Sequence, residues 1–468
     1  MSLLRNYDAA GLKQADLDHC IHPWTEFPQW TKTGSTIMVR GEGAYVWDAE
    51  GNKFIDGIGG LWFANVGFGR QELIDAATQQ LAALPHFSYF TNLGNPPATE
   101  LAQKLVELAP GDLNHVFFST GGSIANDSAV RMAHFYFDNI GKPTKRLLIS
   151  RVNAYHGSSY LTSALSGKAS DSPGFQAPEN LVHHISEANC YRMPEGISSH
   201  EEYCDYLANE FDQKVKSLGP DNVACFFAEP IMGAGGVLVA PKGYHKRMKE
   251  VCEKYDILYV SDEVVTAFGR LGHMFASKDK YDIEPDMIVT AKGITSGYLP
   301  LAATIVSDRV FEGLSRPRGD GAPFAHGFTY SGHAASCAVA LANIDIIERE
   351  DICGHVRKVG PYFEEQLQTL RDNPIVGDVR GSHFMLCFES VKDRTTKEPF
   401  SADVNLGKRI ASHAQERGLI VRPIGNLCVM SPALTLSKGE IDHIVELLRA
   451  SIDATVADLN REGIDFHG

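Results

Sequence analysis

Two apolar runs in this chain each end on one charged residue: Ile257 to Val260 leads into Asp262, and Met287 to Ala291 leads into Lys292. Short runs rich in Ile, Val and Met read as buried strands, so one strand delivers a lone carboxylate and another a lone amine. Burying an ionised group without a partner costs more than a domain's whole stability, so each charge needs something to neutralise it. An ordinary salt bridge between neighbouring strand ends meets that need. Pyridoxal 5′-phosphate meets it too: it takes a lysine amine for a Schiff base with its aldehyde, and a carboxylate beside its pyridine nitrogen to keep that nitrogen protonated.

Other segments bear on the choice. Ser119-Thr120-Gly121-Gly122-Ser123 follows an expected strand and opens an expected helix. Bare glycine N–H groups, with a helix N-terminus worth about half a positive charge, favour an anion such as phosphate there. A tight turn with an N-cap serine accounts for the same residues. Neither GxGxxG nor GxxxxGK[ST] occurs in this loop. Tyr155, in Tyr155-His156-Gly157, is an aromatic at a strand end that could stack on a planar ring, and Val264 could cover the other face; either also fits plain packing. Glu229, before Pro230, is a third strand-end charge, able to pair with an arginine or to hold a network.

The elements that must position these residues alternate. Helical patterns at Gln71–Leu84, Thr99–Leu108 and Ser123–Phe137 are interleaved with strands at His115–Phe118, Arg146–Ile149, Val223–Ala228, Ile257–Val260, Met287–Thr290 and Ala302–Val306. Near-continuous apolar strands separated by helices predict an α/β fold with a mostly parallel sheet covered on both faces. Ligands of such sheets gather beyond the carboxyl ends of the strands, where Asp262 and Lys292 fall. Ala44–Asp48 and Lys53–Asp56 predict a β-hairpin. A helix to Arg349, strands at Val376–Arg380, Phe384–Glu389 and Leu419–Arg422, and a helix at Leu406–Glu416 predict a smaller α+β unit. Its last helix starts at Ser437, where Glu440 completes a capping box. Both chain ends are expected in that unit: residues 1–70 and 335–468, around a large domain at 71–334.

The bulk properties narrow the partners. A net charge of −15 over 468 residues, with no dense run of Lys and Arg, speaks against a nucleic-acid surface. Nine scattered cysteines with no CxxC pair suggest neither a disulfide framework nor a zinc site, so no metal is expected. No run approaches the ~20 apolar residues of a membrane span, and the first residues carry no signal pattern. The expectation is a cytoplasmic protein acting on small molecules.

Five longer segments then carry a family resemblance. Gly60-Leu-Trp-Phe-Ala-Asn-Val-Gly67, Ala228-Glu-Pro-Ile-Met-Gly-Ala-Gly-Gly236, Ser261-Asp-Glu-Val-Val-Thr-Ala-Phe-Gly-Arg270, Ala291-Lys-Gly293 and His326-Gly-Phe-Thr-Tyr-Ser-Gly-His333 resemble class III, pyridoxal-phosphate-dependent aminotransferases of fold type I. The resemblance implies that Lys292 forms the Schiff base and Asp262 binds the pyridine nitrogen. Tyr155 and Val264 would flank the ring, and Gly122 and Ser123 would hold the phosphate, with Glu229 in the same cofactor-binding set. Thr329 would complete the phosphate site from a neighbouring subunit, giving a homodimer with shared active sites and leaving higher assembly open. One departure stands out: the family usually has Ser-Gly-Ser-Glu-Ala-Asn where this chain has Gly121-Gly-Ser-Ile-Ala-Asn126, which predicts weaker cofactor affinity.

The resemblance also bears on substrate. Val429 stands where ornithine, acetylornithine and γ-aminobutyrate enzymes have an arginine, whereas Arg422, in Gly418-Leu-Ile-Val-Arg-Pro423, is similar to the amine:pyruvate branch, the ω-transaminases. There such an arginine grips a carboxylate with its planar fork and swings away for an apolar amine. Trp62, Phe90 and Phe328, with Tyr155 and more weakly Trp24, match substrate-pocket positions of that branch. The implied reaction moves an amino group from an amine or ω-amino acid to a keto acid such as pyruvate. An aminomutase, a decarboxylase or a non-catalytic relative would keep the same lysine and aspartate, and polyamine and taurine enzymes resemble this branch too.

Overall fold

The computed structural model describes residues 7–168, 178 and 180–467. Near the N-terminus β1 (Met38–Glu42), β2 (Tyr45–Asp48) and β3 (Lys53–Asp56) pair antiparallel, with β2 and β3 making the expected hairpin. The chain continues through β4 (His115–Ser119), β5 (Leu147–Arg151), β6 (Val182–Ile185) and β7 (Val223–Ala228). A two-stranded ribbon follows, β8 (Ile231–Met232) with β9 (Leu238–Val239), and then β10 (Leu258–Asp262), β11 (Met287–Thr290) and β12 (Ala302–Val306).

One seven-stranded sheet takes the order β4-β12-β11-β10-β7-β5-β6. Every pairing from β11 through β10, β7 and β5 to β6 is parallel. Only β12 is reversed, running antiparallel to both β11 and β4. Side chains of a strand alternate between the faces, and here both faces are apolar. Cys225, Phe227, Val260 and Val289 pack with Ala129, Ala133 and Phe137 of the helix Gly122–Asn139. Their neighbours Phe226 and Tyr259 pack on the other side with Phe211 and Tyr244, from the helices His200–Leu218 and Tyr244–Lys254.

The C-terminal part holds β13 (Val376–Ser382), β14 (Met385–Ser390), β15 (Leu419–Ile420), β16 (Arg422–Ile424) and β17 (Leu427–Met430). Four of them form an antiparallel sheet in the order β13-β14-β17-β16, while β15 leaves it and pairs in parallel with β3. The single strand expected at Leu419–Arg422 is therefore two. Leu419 and Ile420 lie opposite Ile55 and Asp56, whereas Arg422 lies opposite Val429, so Val421 is where the chain changes sheets. The last helix, Lys438–Glu462, has the Ser437–Glu440 capping box read from the sequence. All nine cysteines are free, and among the described residues no helix is long and apolar enough to cross a membrane.

This topology fixes the separation of the two opening charges. Asp262 is the last residue of β10 and pairs with Val289 of β11. Lys292 follows the end of β11, so both side chains leave the sheet at its carboxyl edge.

Candidate active site

A cavity of about 1050 Å³ opens at that edge, lined by Trp62, Gly122, Ser123, Tyr155, Glu229, Asp262, Val264, Lys292 and Arg422. Among the described residues no ion pair joins Asp262 to Lys292, so the salt bridge that could have explained both charges is not formed. Asp262 is satisfied by other groups. One oxygen accepts from Asn126 Nδ2 at 2.9 Å and lies 2.8 Å from His156 Nδ1; the other accepts from the Val264 N–H at 3.1 Å.

Lys292 sits in a left-handed backbone conformation with φ +47°. For a residue with a side chain this costs about 1–3 kcal/mol and needs support from its surroundings. Support comes from behind the turn: Asn343, on the helix Ala334–Arg349, donates to the Gly293 and Ile294 carbonyls at 2.9 and 3.1 Å. Gly293 lies against Asn65 so tightly that a Cβ there would be 2.4 Å from Asn65 Nδ2. Burial pulls the Lys292 amine below the ordinary lysine range, and the nearby charges of Asp262 and Glu229 offset this only in part.

The third corner is the N-terminus of Gly122–Asn139. Gly121 occupies its N-cap position and no side chain caps it among the described residues, so the first-turn N–H groups of an 18-residue helix point to the cavity without a side-chain acceptor. Gly122 is a glycine for a local reason: a Cβ would come 3.0 Å from Val264 Cγ2. Ser123 Oγ accepts from the Ser158 N–H at 3.1 Å. A Cβ on the intervening Gly157, at φ +139°, would fall 2.6 Å from that same hydroxyl. An anion-binding end, a fixed carboxylate and a buried amine around one cavity fit the phosphate, ring nitrogen and aldehyde of pyridoxal 5′-phosphate.

The hydrogen bonds of the Glu229 carboxylate among the described residues are to backbone groups. Its oxygens accept from the Tyr155 and Gly233 N–H groups at 3.1 and 2.8 Å, while Arg151 donates to its backbone carbonyl. Burial raises its proton affinity. It serves here as a brace for the loop that carries Tyr155. Phe90, Phe328 and Thr329 do not line the cavity of their own chain. Phe90 and Thr329 are exposed, a Cβ at Gly327 would lie 3.2 Å from the Phe90 ring, and His86 Nε2 donates to the Thr329 carbonyl at 2.8 Å.

Residues 27–452 match the aminotransferase class-III family. The chain is a class III aminotransferase. It is 40% identical over 441 residues to a putrescine–pyruvate aminotransferase of Pseudomonas aeruginosa, covering 94% of this chain and 95% of that one. It is similar to the crystal structure of a thermostable (S)-enantioselective omega-transaminase from Thermomicrobium roseum, with TM-score 0.93, 39% identity and coverage of 96% and 99%. The omega transaminase of Pseudomonas jessenii in complex with PMP gives the same TM-score, identity and coverage. Class III aminotransferases use pyridoxal 5′-phosphate and have fold type I, so cofactor and fold both agree with the reading of the sequence. The aminomutase, decarboxylase and non-catalytic alternatives are not favoured.

In this aminotransferase the two side chains that hold Asp262, Asn126 and His156, were not singled out from the sequence. Asn126 lies in the helix Gly122–Asn139 and His156 follows Tyr155; both sit inside quoted motifs, but only the fold brings them to the carboxylate. Asn126 Oδ1 and His156 Nε2 are buried with no hydrogen-bond partner among the described residues.

The lowered proton affinity of Lys292 has a stability consequence. Between its lowered value and the ordinary 10.5, the unfolded chain binds a proton that the folded chain does not, so folded stability rises with pH across that window. Cofactor-free Lys292→Met should therefore have a higher thermal midpoint than cofactor-free parent near neutral pH, with the gap narrowing as pH rises toward 10.5. A midpoint difference that ignores pH would contradict this.

Proposed function

We propose that this aminotransferase moves an amino group from an amine or ω-amino acid to a keto acid, pyruvate, as a homodimer with shared active sites, in the cytoplasm. The observation that carries the reading is the three-cornered cavity in which Asp262 and Lys292 stay apart, with Arg422 among the residues that line it. The names of the relatives support the amine and pyruvate. The pairing of β15 with β3 supports treating residues 1–70 with 335–468 as one unit around residues 71–334.

When bound, pyridoxal 5′-phosphate supplies the aldehyde that carries the amino group and a ring that takes up the electrons released as the adjacent C–H bond breaks. Asp262 would face the cationic ring nitrogen, its orientation fixed by Asn126, His156 and the Val264 N–H. Tyr155 and Val264 would bound the two ring faces, and Gly122, Ser123 and the helix N-terminus would hold the phosphate. Lys292 Nζ would take and return the proton, a task suited to an amine whose proton affinity burial has lowered. Trp62 gives an apolar wall for the amine. Arg422 would take the pyruvate carboxylate with two parallel N–H donors. Phe90, Phe328 and Thr329 would belong to the cavity of a partner subunit, since they lie outside their own.

Holoenzyme mixed with 1-phenylethylamine and pyruvate should form acetophenone and alanine in equal amounts. Lys292→Ala should slow this at least ~10²-fold; undiminished alanine from that variant, or none from the parent, would remove the reading. Arg422→Ala should raise KM for pyruvate roughly 10- to 100-fold, the equivalent of a charged hydrogen-bonded contact, while leaving 1-phenylethylamine nearly unaffected. Equal losses for both substrates would count against that role. At Gly121 the φ of −174° suits any residue and an added Cβ meets nothing within 4 Å. Gly121→Ser should therefore fold normally and retain pyridoxal 5′-phosphate more tightly, read as a lower Kd from equilibrium dialysis.

A further inference from the structure

The helices Ala9–His19 and Phe27–Thr33 bury no residue between them, yet the stretch joining them forms part of the cavity wall through His22, Pro23 and Trp24. Trp24 has φ +57°, remains 61% exposed and meets the Tyr155 ring edge-on, with centroids 5.9 Å apart. A tryptophan in a left-handed conformation with so little apolar burial does not hold such a position by itself.

Its restraint is polar. Asp16 Oδ2 accepts from Ser35 Oγ at 2.6 Å, and the two carboxylate oxygens lie 3.0 and 2.9 Å from His22 Nε2. Trp30 Nε1 donates to Ser35 Oγ at 2.9 Å, and the His22 and Trp30 rings lie 5.0 Å apart. Asp16 precedes the stretch, Ser35 follows the second helix and His22 lies within the stretch, so one carboxylate ties both flanks to the middle.

We propose that Asp16, with Ser35 and His22, is a latch that positions Trp24 against the donor side of the cavity and so sets affinity for arylalkyl amines without touching donor or cofactor. The proposal rests on the amine:pyruvate reading. Asp16 is a positioning residue, and its effect must pass through Trp24.

The test is a double-mutant cycle on holoenzyme with 1-phenylethylamine at saturating pyruvate, using Asp16→Ala, Trp24→Ala and the double variant. Asp16→Ala should raise KM for the amine ~5- to 10-fold with kcat and the pyruvate KM unchanged, and should add nothing in the Trp24→Ala background. Asp16→Asn, which keeps an acceptor for Ser35, should recover part of the loss. Effects that multiply in the double variant, or a fall in kcat, would overturn the proposal. Limited trypsin digestion reads the latch without the reaction: cleavage after Lys32 should quicken in Asp16→Ala and less so in Asp16→Asn. Unchanged cleavage would overturn the latch even if transamination proceeds, whereas faster cleavage in an enzyme that forms no alanine would leave the latch and remove the function.

Discussion

The site depends on keeping two buried opposite charges from finding each other. An amine and a carboxylate on adjacent parallel strands would gain most by pairing directly, and a paired lysine is a poor nucleophile and base. Here the carboxylate has its own donors, Asn126, His156 and the Val264 N–H, and so does not need the lysine. The amine is left in a buried setting that favours its neutral form. Separating them makes room for a molecule that needs both.

That separation is maintained from some distance. The turn that presents Lys292 is held by Asn343, while Asn65 bonds the Phe268 carbonyl and also accepts from Arg270. Arg270 is itself buried and bonded to the Phe384 carbonyl, in the turn of the β13–β14 hairpin. The chain ends thus brace the central sheet at the point where its chemistry is exposed. Burial lowers the proton affinity of this arginine as it does that of Lys292, but Asp56 offsets it in part.

Much of the central sheet was legible because its strands are buried on both faces and therefore apolar without interruption, as in Val223–Ala228 and Met287–Thr290. The edge strand Val182–Ile185 was not, since His183 and His184 break the pattern at a place where one neighbour suffices. The helix Ile352–Gln368 was hidden by Pro361 and by Gly360, which packs so close to His383 that a Cβ would lie 2.8 Å from it. At the site, residue type and strand position were enough to single out Asp262 and Lys292. Asn126 and His156 were not found, because a hydrogen bond between residues 136 or 106 positions apart leaves no local periodicity. The break at Val421 was invisible for the same reason: pairing with β3 and with β17 is decided by distant partners.

The change of sheet at Val421 bears on time as well as shape. Arg422 is rooted at the start of β16, with β15 bonded to a different sheet immediately before it, so its backbone is held from two directions. Any rearrangement of the guanidinium is then confined to its own side-chain torsions. Side-chain rotamer flips are faster than the microseconds or longer that loops and lids take, reaching picoseconds to nanoseconds where a side chain is exposed. Under the role proposed for Arg422, exchanging a charged guest for an uncharged one then calls for movement of one side chain and not of the strand that carries it.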